Sequence, residues 1–182
     1  MFSTIIALIV IGLLSLLYIY SGVYNIAASV PHSALTRELL ELTVERSIEH
    51  QAQSVSIPGN FGSIDPKEGF GHYDGMCVDC HGAPGIDRSE FGQGLYPMAP
   101  SLFKKTQEDE DEDVLTPSEL FWVVKNGIKA TGMPAFGKTH DDEKIWSIVA
   151  FLGTLPALSP EDYKNLRDAV SPEPAETGQS VE

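Results

Sequence analysis

Between Phe2 and Tyr24 the chain carries no charged side chain: FSTIIALIVIGLLSLLYIYSGVY is apolar on every side. A helix of that kind has no polar face to give to water. At about 1.5 Å per residue the run is long enough to cross a roughly 30 Å hydrocarbon core. Tyr18, Tyr20 and Tyr24 gather at its end, where aromatic side chains mark a membrane interface. No Lys or Arg precedes it, and NIAAS (residues 25–29) is a poor cleavage site, so residues 1–24 are expected to remain as an anchor and not to leave as a signal peptide.

After the anchor the pattern changes. Ser33 can cap a helix in which Leu35, Leu39, Leu42 and Ile48 recur at helical spacing among charges. SIPGNFGSIDPKEG is rich in Gly, Pro and Ser and reads as a linker. Residues 25–64 are therefore an amphipathic helix and a linker. A compact domain is expected over 65–158. Its first helix spans about 66–78, with Asp65 as cap and Pro66 at the first helical position. In TPSELFWVVKNG, Thr116 caps, Pro117 opens, Glu119 completes a capping box and Gly127 ends the helix. HDDEKIWSIVAFLGTLP opens on acidic residues and builds an apolar face from Ile145, Trp146, Val149, Ala150 and Leu152 before Pro156 stops it. Residues 159–182 form a C-terminal extension with one short helical possibility in SPEDYKNLRDAV and a disordered composition beyond it. No convincing strand and no repeat is present, so the fold class is all-α.

The net charge of −14 argues against nucleic acid as a partner, because nothing in the chain neutralises phosphates in a row. Part of that charge is the block EDEDED from Glu108 to Asp113, a solvated loop or a docking surface for a basic partner.

The two cysteines of the chain, Cys77 and Cys80, stand next to His81 in GMCVDCHGAPG. Structural zinc needs a second ligand pair, and the other four histidines are scattered. Thioredoxin-like chemistry needs the cysteine pair at a helix start after a strand, whereas here it follows a helix. A disulfide within CxxC closes a very tight loop and leaves His81 unexplained. Covalent haem attachment through Cys77 and Cys80, with His81 as iron ligand, uses all three residues. A sixth ligand is then needed. Met133, in NGIKATGMPAFG, sits among Gly132, Pro134 and Gly137 in a loop between two helices, and its soft thioether favours ferrous iron. Met76 lies too close to the cysteine pair, and Met98 is a weaker reserve.

With these parts in order, residues 66–158 resemble the class I c-type cytochromes, monohaem and His/Met-ligated: a first helix with Gly69, Phe70 and Tyr73, the CVDCH motif, the GMPAFG loop, and a last helix with Trp146 and Phe151. The resemblance implies a cytochrome c fold of three to five helices around one covalently bound haem c, here with an N-terminal transmembrane helix. It implies that Gly69 or Gly71 meets Trp146 where the first and last helices cross. It also implies that the Pro100 carbonyl accepts a hydrogen bond from the proximal imidazole of His81. The longer loop before the third helix, and everything ahead of residue 65, fall outside the family pattern.

The resulting expectation is a single-electron carrier and not an enzyme. It would be tethered by a single pass in the bacterial inner membrane, with the haem domain in the periplasm and redox proteins of a respiratory chain as partners. Tyr96, Phe103, Trp122 and Phe136 are candidates for the apolar haem shell. Lys125, Lys129 and Lys138 are candidates for a local docking rim in an acidic protein. A haem subunit fixed permanently in a respiratory complex is the first alternative. A haem sensor or peroxidase with a labile sixth ligand is the second.

Overall fold

The structure is a computed structural model, and it describes residues 2–104 and 115–170. The acidic block 108–113 and the tail from 171 lie outside the described residues. The chain divides into two units between His32 and Ser33.

In the first unit, α1 (Phe2–Ser21) is long and apolar enough to cross a membrane, and none of its side chains is buried in protein. Two of its hydroxyls are satisfied by the helix itself, Ser15 donating to the Ile11 carbonyl (2.9 Å) and Ser21 to the Tyr18 carbonyl (2.7 Å). A helix in hydrocarbon needs this internal satisfaction.

The second unit is helical throughout, with no strand among the described residues. It is built from α2 (Ala34–Ala52), α3 (Lys67–Met76), α4 (Val78–His81), α5 (Glu90–Gln93), α6 (Pro117–Asn126), α7 (Asp142–Thr154) and α8 (Pro160–Val170). Their caps follow the sequence chemistry. Ser33 accepts from the Thr36 amide, Thr116 and Glu119 form the reciprocal capping box, and Asp141 accepts from the Lys144 amide. Asp65 accepts from the Lys67 amide, while Pro66 stands just outside α3.

The core is the crossing of α3 over α7. Gly69 makes it possible: a Cβ there would stand 2.1 Å from the Ser147 carbonyl oxygen and 2.9 Å from the Ile148 Cα. The close contact of Gly69 is thus with the backbone at 147–148, and not with Trp146. The Trp146 ring points to the other side of α7, where it stacks on Phe121 (centroids 4.3 Å apart) and takes the edge of Phe61 (5.1 Å). Around the crossing, Phe70 packs edge-on against Phe151 and Tyr163. Ser147, Ile148 and Phe151 are buried along α7, whereas Ala150 and Leu152 are only partly so.

Two further helices complete the unit. α2 packs on α6 through Ile48 and Ala52, while Leu35, Leu39 and Leu42 remain exposed. At about 100° per residue the three leucines lie on the side opposite Ile48, so α2 has two apolar stripes rather than one. α8 returns to α3. Tyr163 is fully buried and its hydroxyl donates to Asp74 (2.9 Å), which also accepts from Arg167 Nε (2.9 and 3.1 Å). Burial and the Asp74 carboxylate together push the Tyr163 phenol up from its ordinary pKa. Asp74→Ala is expected to cost about 1–3 kcal/mol, because it strands a buried hydroxyl and a half-exposed guanidinium. Urea unfolding reads the loss, and a midpoint matching that of the parent would refute it.

Candidate functional site

The cysteine and histidine side chains are set by one turn of helix. The His81 amide donates to the Cys77 carbonyl (2.9 Å) and the Cys80 amide to the same oxygen (3.1 Å). Positions i, i+3 and i+4 share a helix face, so Cys77, Cys80 and His81 present their side chains together. The turn is held from below by Tyr73, whose buried hydroxyl donates to the Gly82 carbonyl (2.7 Å). It is held from the side by Ser89, which donates to the Asp79 carbonyl (3.0 Å).

Both cysteines are free thiols. Burial, with a smaller contribution from Cys80, pushes the Cys77 thiol up to about 12. Burial and then Asp79 push Cys80 upward as well. Reactive redox cysteines have depressed values, and both shifts here run the other way.

His81 Nδ1 lies 2.8 Å from the Pro100 carbonyl oxygen. A carbonyl can only accept, so Nδ1 carries the proton and Nε2 keeps its lone pair. Burial lowers the imidazole pKa and the Arg88 charge lowers it further, against the Pro100 hydrogen bond. The balance favours the neutral ring, the form that binds a metal.

Met133 lies on the opposite cluster. It packs, half-buried, against the group of Phe121, Val124, Ile145, Trp146, Ile148 and Val149, whereas Cys77 packs against Phe70, Tyr73, Phe151 and Tyr163. Leu152 touches both groups. The loop is braced on itself. The Met133 amide donates to Thr131 Oγ1 (3.1 Å), Thr131 donates to the Ile128 carbonyl (2.8 Å), and the Ile128 amide donates to the Met133 carbonyl (3.2 Å). Gly127 ends α6 at φ +67°, and a Cβ there would stand 2.7 Å from the Met133 carbonyl oxygen. Of the shell candidates, Phe103 packs on the same core cluster as Cys77 and Phe136 on the same cluster as Met133. Tyr96 and Trp122 are half-buried.

Sequence reasoning missed two residues. Phe121, not Trp122, is buried in α6 beneath the Met133 cluster. Arg88 joins the site through Met98 and Ala99, the residues just before Pro100. Phe121 could have been found by helical phase with Val124, but Arg88 carries no local signal.

The donor set fits a covalently held haem: two free thiols, an imidazole with an open Nε2, and a thioether in a braced loop. An all-helical fold with this turn is in keeping with the resemblance to c-type cytochromes seen in the sequence. Residues 65–152 match the family described as cytochrome C oxidase, cbb3-type, subunit III. The 1-butanol dehydrogenase (cytochrome c) of Thauera butanivorans is 32% identical over 114 residues, which make up 62% of this chain and 15% of that protein. The chain thus spans a small fraction of that relative.

Proposed function

We propose that the chain is a membrane-tethered monohaem cytochrome c that carries single electrons on the periplasmic side of a bacterial respiratory chain. The observation that supports this most is the helical turn of Cys77, Cys80 and His81, with Nδ1 tied to Pro100 and Nε2 free for iron. In this reading Cys77 and Cys80 hold the haem, and His81 and Met133 are its axial ligands. The haem, when bound, supplies a one-electron ferric/ferrous couple. The protein supplies the rest. Pro100 fixes the tautomer and orientation of His81, and the Thr131 brace holds Met133 at the loop. Met98 is the poorer donor, since it is 59% exposed and its sulfur already accepts from Arg88 Nη1 (3.3 Å). Residues 1–24 anchor the chain, 25–64 link the anchor to the haem domain at 65–158, and 159–182 extend it.

Partners would be redox proteins approaching by charge and shape. Lys125 is ion-paired with Asp142 (2.6 Å), which leaves Lys129 and Lys138 as the exposed positive charges beside the methionine loop. The domain is read as a carrier rather than a catalyst, and the dehydrogenase activity in the relative's name is not carried over to it.

The second reading, a haem subunit fixed in a larger complex, is favoured by the exposure of Leu35 (67%), Leu39 (55%) and Leu42 (49%). An unpaired apolar stripe of that kind is a contact surface. Purification in mild detergent from native membranes separates the two readings, since a fixed subunit brings its complex with it.

Intact-mass measurement tests the site. Protein made in a host that matures c-type cytochromes should carry the mass of one haem, resistant to acid extraction. Cys77→Ala with Cys80→Ala should lose it completely. A parent with no added mass and two alkylatable thiols would overturn the proposal.

A further inference from the structure

Two of the five histidines meet away from the cysteine turn. His72 on α3 and His140, just before α7, stand edge to face, with ring centroids 5.2 Å apart and planes at 81°. Each is half-buried. His140 is tied to the methionine loop. Its amide donates to the Phe136 carbonyl (2.9 Å), and its ring lies edge-on to the Phe136 ring (5.8 Å). Its Nδ1 shares a hydrogen bond with Thr139 Oγ1 (2.9 Å). Phe136, three residues after Met133, packs on the same core cluster as that methionine. The histidine contact therefore closes the far end of the loop, residues 134–140, onto α3.

Charge sets the conditions under which that contact holds. Imidazole is the side chain that gains its charge between about pH 5 and 8. Lys144 and Asp141 act on the pair from α7 and its cap, and Lys138 stands two residues before His140. On α3 itself Glu68 lies one helical turn before His72. From α8, Arg167 is engaged by Asp74. The Asp141 carboxylate is the attracting group, but it is already occupied: it accepts from the Lys144 amide and from the Lys144 ammonium (both 2.9 Å). Burial, then His140, then Lys144 lower the His72 pKa, and Asp141 opposes them without cancelling them.

We propose that His72 and His140 form an acid-released latch on the methionine loop. With the rings neutral, they pack edge to face and hold residues 134–140 on α3. With both rings protonated, two cations share a half-buried contact beside Lys144, and the contact opens. The loop then keeps the Thr131 brace but loses its far anchor, and Met133 is held less firmly. The consequence for the iron rests on the haem reading above; the latch itself does not. Because folding lowers the His72 pKa, its contribution to stability is complete above the unfolded value of about 6.5 and is lost as pH falls through the folded one.

The test uses the full-length holoprotein and His72→Phe, which keeps an aromatic edge against His140 and cannot take a charge. From about pH 7.5 to about pH 5 the parent's urea midpoint should fall and the far-red band of its oxidised form should weaken. His72→Phe should flatten both profiles. A purely structural role for His72 would shift the midpoint equally at every pH and leave the step in place. A parent flat over this range overturns the latch, and so does a His72→Phe profile with the parent's step. Proton NMR of the ferrous parent keeps the test open if the variant fails to accumulate. The His72 and His140 ring signals should titrate as a coupled pair, and the Met133 methyl signal should move with them. Rings that titrate independently, or a methyl signal that stays still while they titrate, overturn the latch. None of these results touches the haem reading, which fails separately if the parent mass shows no haem.

Discussion

Gly69→Val is expected to destabilise the domain by about 3 kcal/mol or more, at the upper end of what overpacking does. The first atom of any side chain at 69 lies 2.1 Å from the Ser147 carbonyl oxygen, while ordinary contact begins at 3.4 Å. The shortfall is 1.3 Å, and the obstacle is backbone, so no rotamer change removes it. Relief requires α3 and α7 to separate, which would open the contacts of Phe70 and Tyr73 with Phe151 (5.5 and 5.4 Å between centroids). It would also disturb the start of α4, because the Cys77 amide is bonded to Tyr73 (2.9 Å). Gly75 offers the control. It lies in the same helix with nothing within 4 Å of its Cβ, so Gly75→Ala should be neutral or stabilising by up to about 1 kcal/mol. Urea midpoints of the two variants decide the matter. Equal midpoints would show that the helices do not meet at Gly69.

How far the sequence reveals this fold depends on the range of the interaction concerned. The caps of α2, α6 and α7 are legible because Ser33, Thr116, Glu119 and Asp141 act on amides three residues away. The CVDCH turn is legible for the same reason, since i, i+3, i+4 geometry follows from the helix alone. The tie of α8 to α3 is not, because Asp74 is 89 residues from Tyr163 and 93 from Arg167. Nothing local marks Tyr163 as a core residue, and its helix looks like a polar tail. The same limit applies to α2, where Leu35, Leu39 and Leu42 have the spacing of a buried face. Burial goes instead to Ile48 and Ala52, because α6 covers only that side. Trp146 is a subtler case. The crossing of the first and last helices is foreseeable, but the glycine meets backbone at 147–148, and the indole serves the Met133 cluster instead. Arg88 shows what remains invisible: its contacts to Met98 and Ala99, ten and eleven residues away, are set by the fold.

Met133→Leu is expected to leave the fold in place and change the redox chemistry. Leucine and methionine are close in volume, and such swaps in a core cost less than about 1.5 kcal/mol. The braces of the loop run through the backbone at 128 and 133 and through Thr131, so they do not need the thioether. What the substitution deletes is the sulfur. If Met133 is the sixth ligand, the weak far-red sulfur-to-iron charge-transfer band of the oxidised protein should vanish. The potential should also fall by about 0.1 V or more, a fraction of the roughly 0.8 V that axial ligation spans. The direction follows from softness: a thioether stabilises ferrous iron, and its loss favours the ferric state. Met98→Leu is the matched comparison, and its spectrum should equal the parent's. If instead Met98→Leu removes the band and Met133→Leu does not, the ligand is Met98 and the Arg88 contact to its sulfur must break in the loaded protein. If neither changes it, the sixth position is not held by a methionine, and the labile-ligand alternative gains the ground that the carrier reading loses.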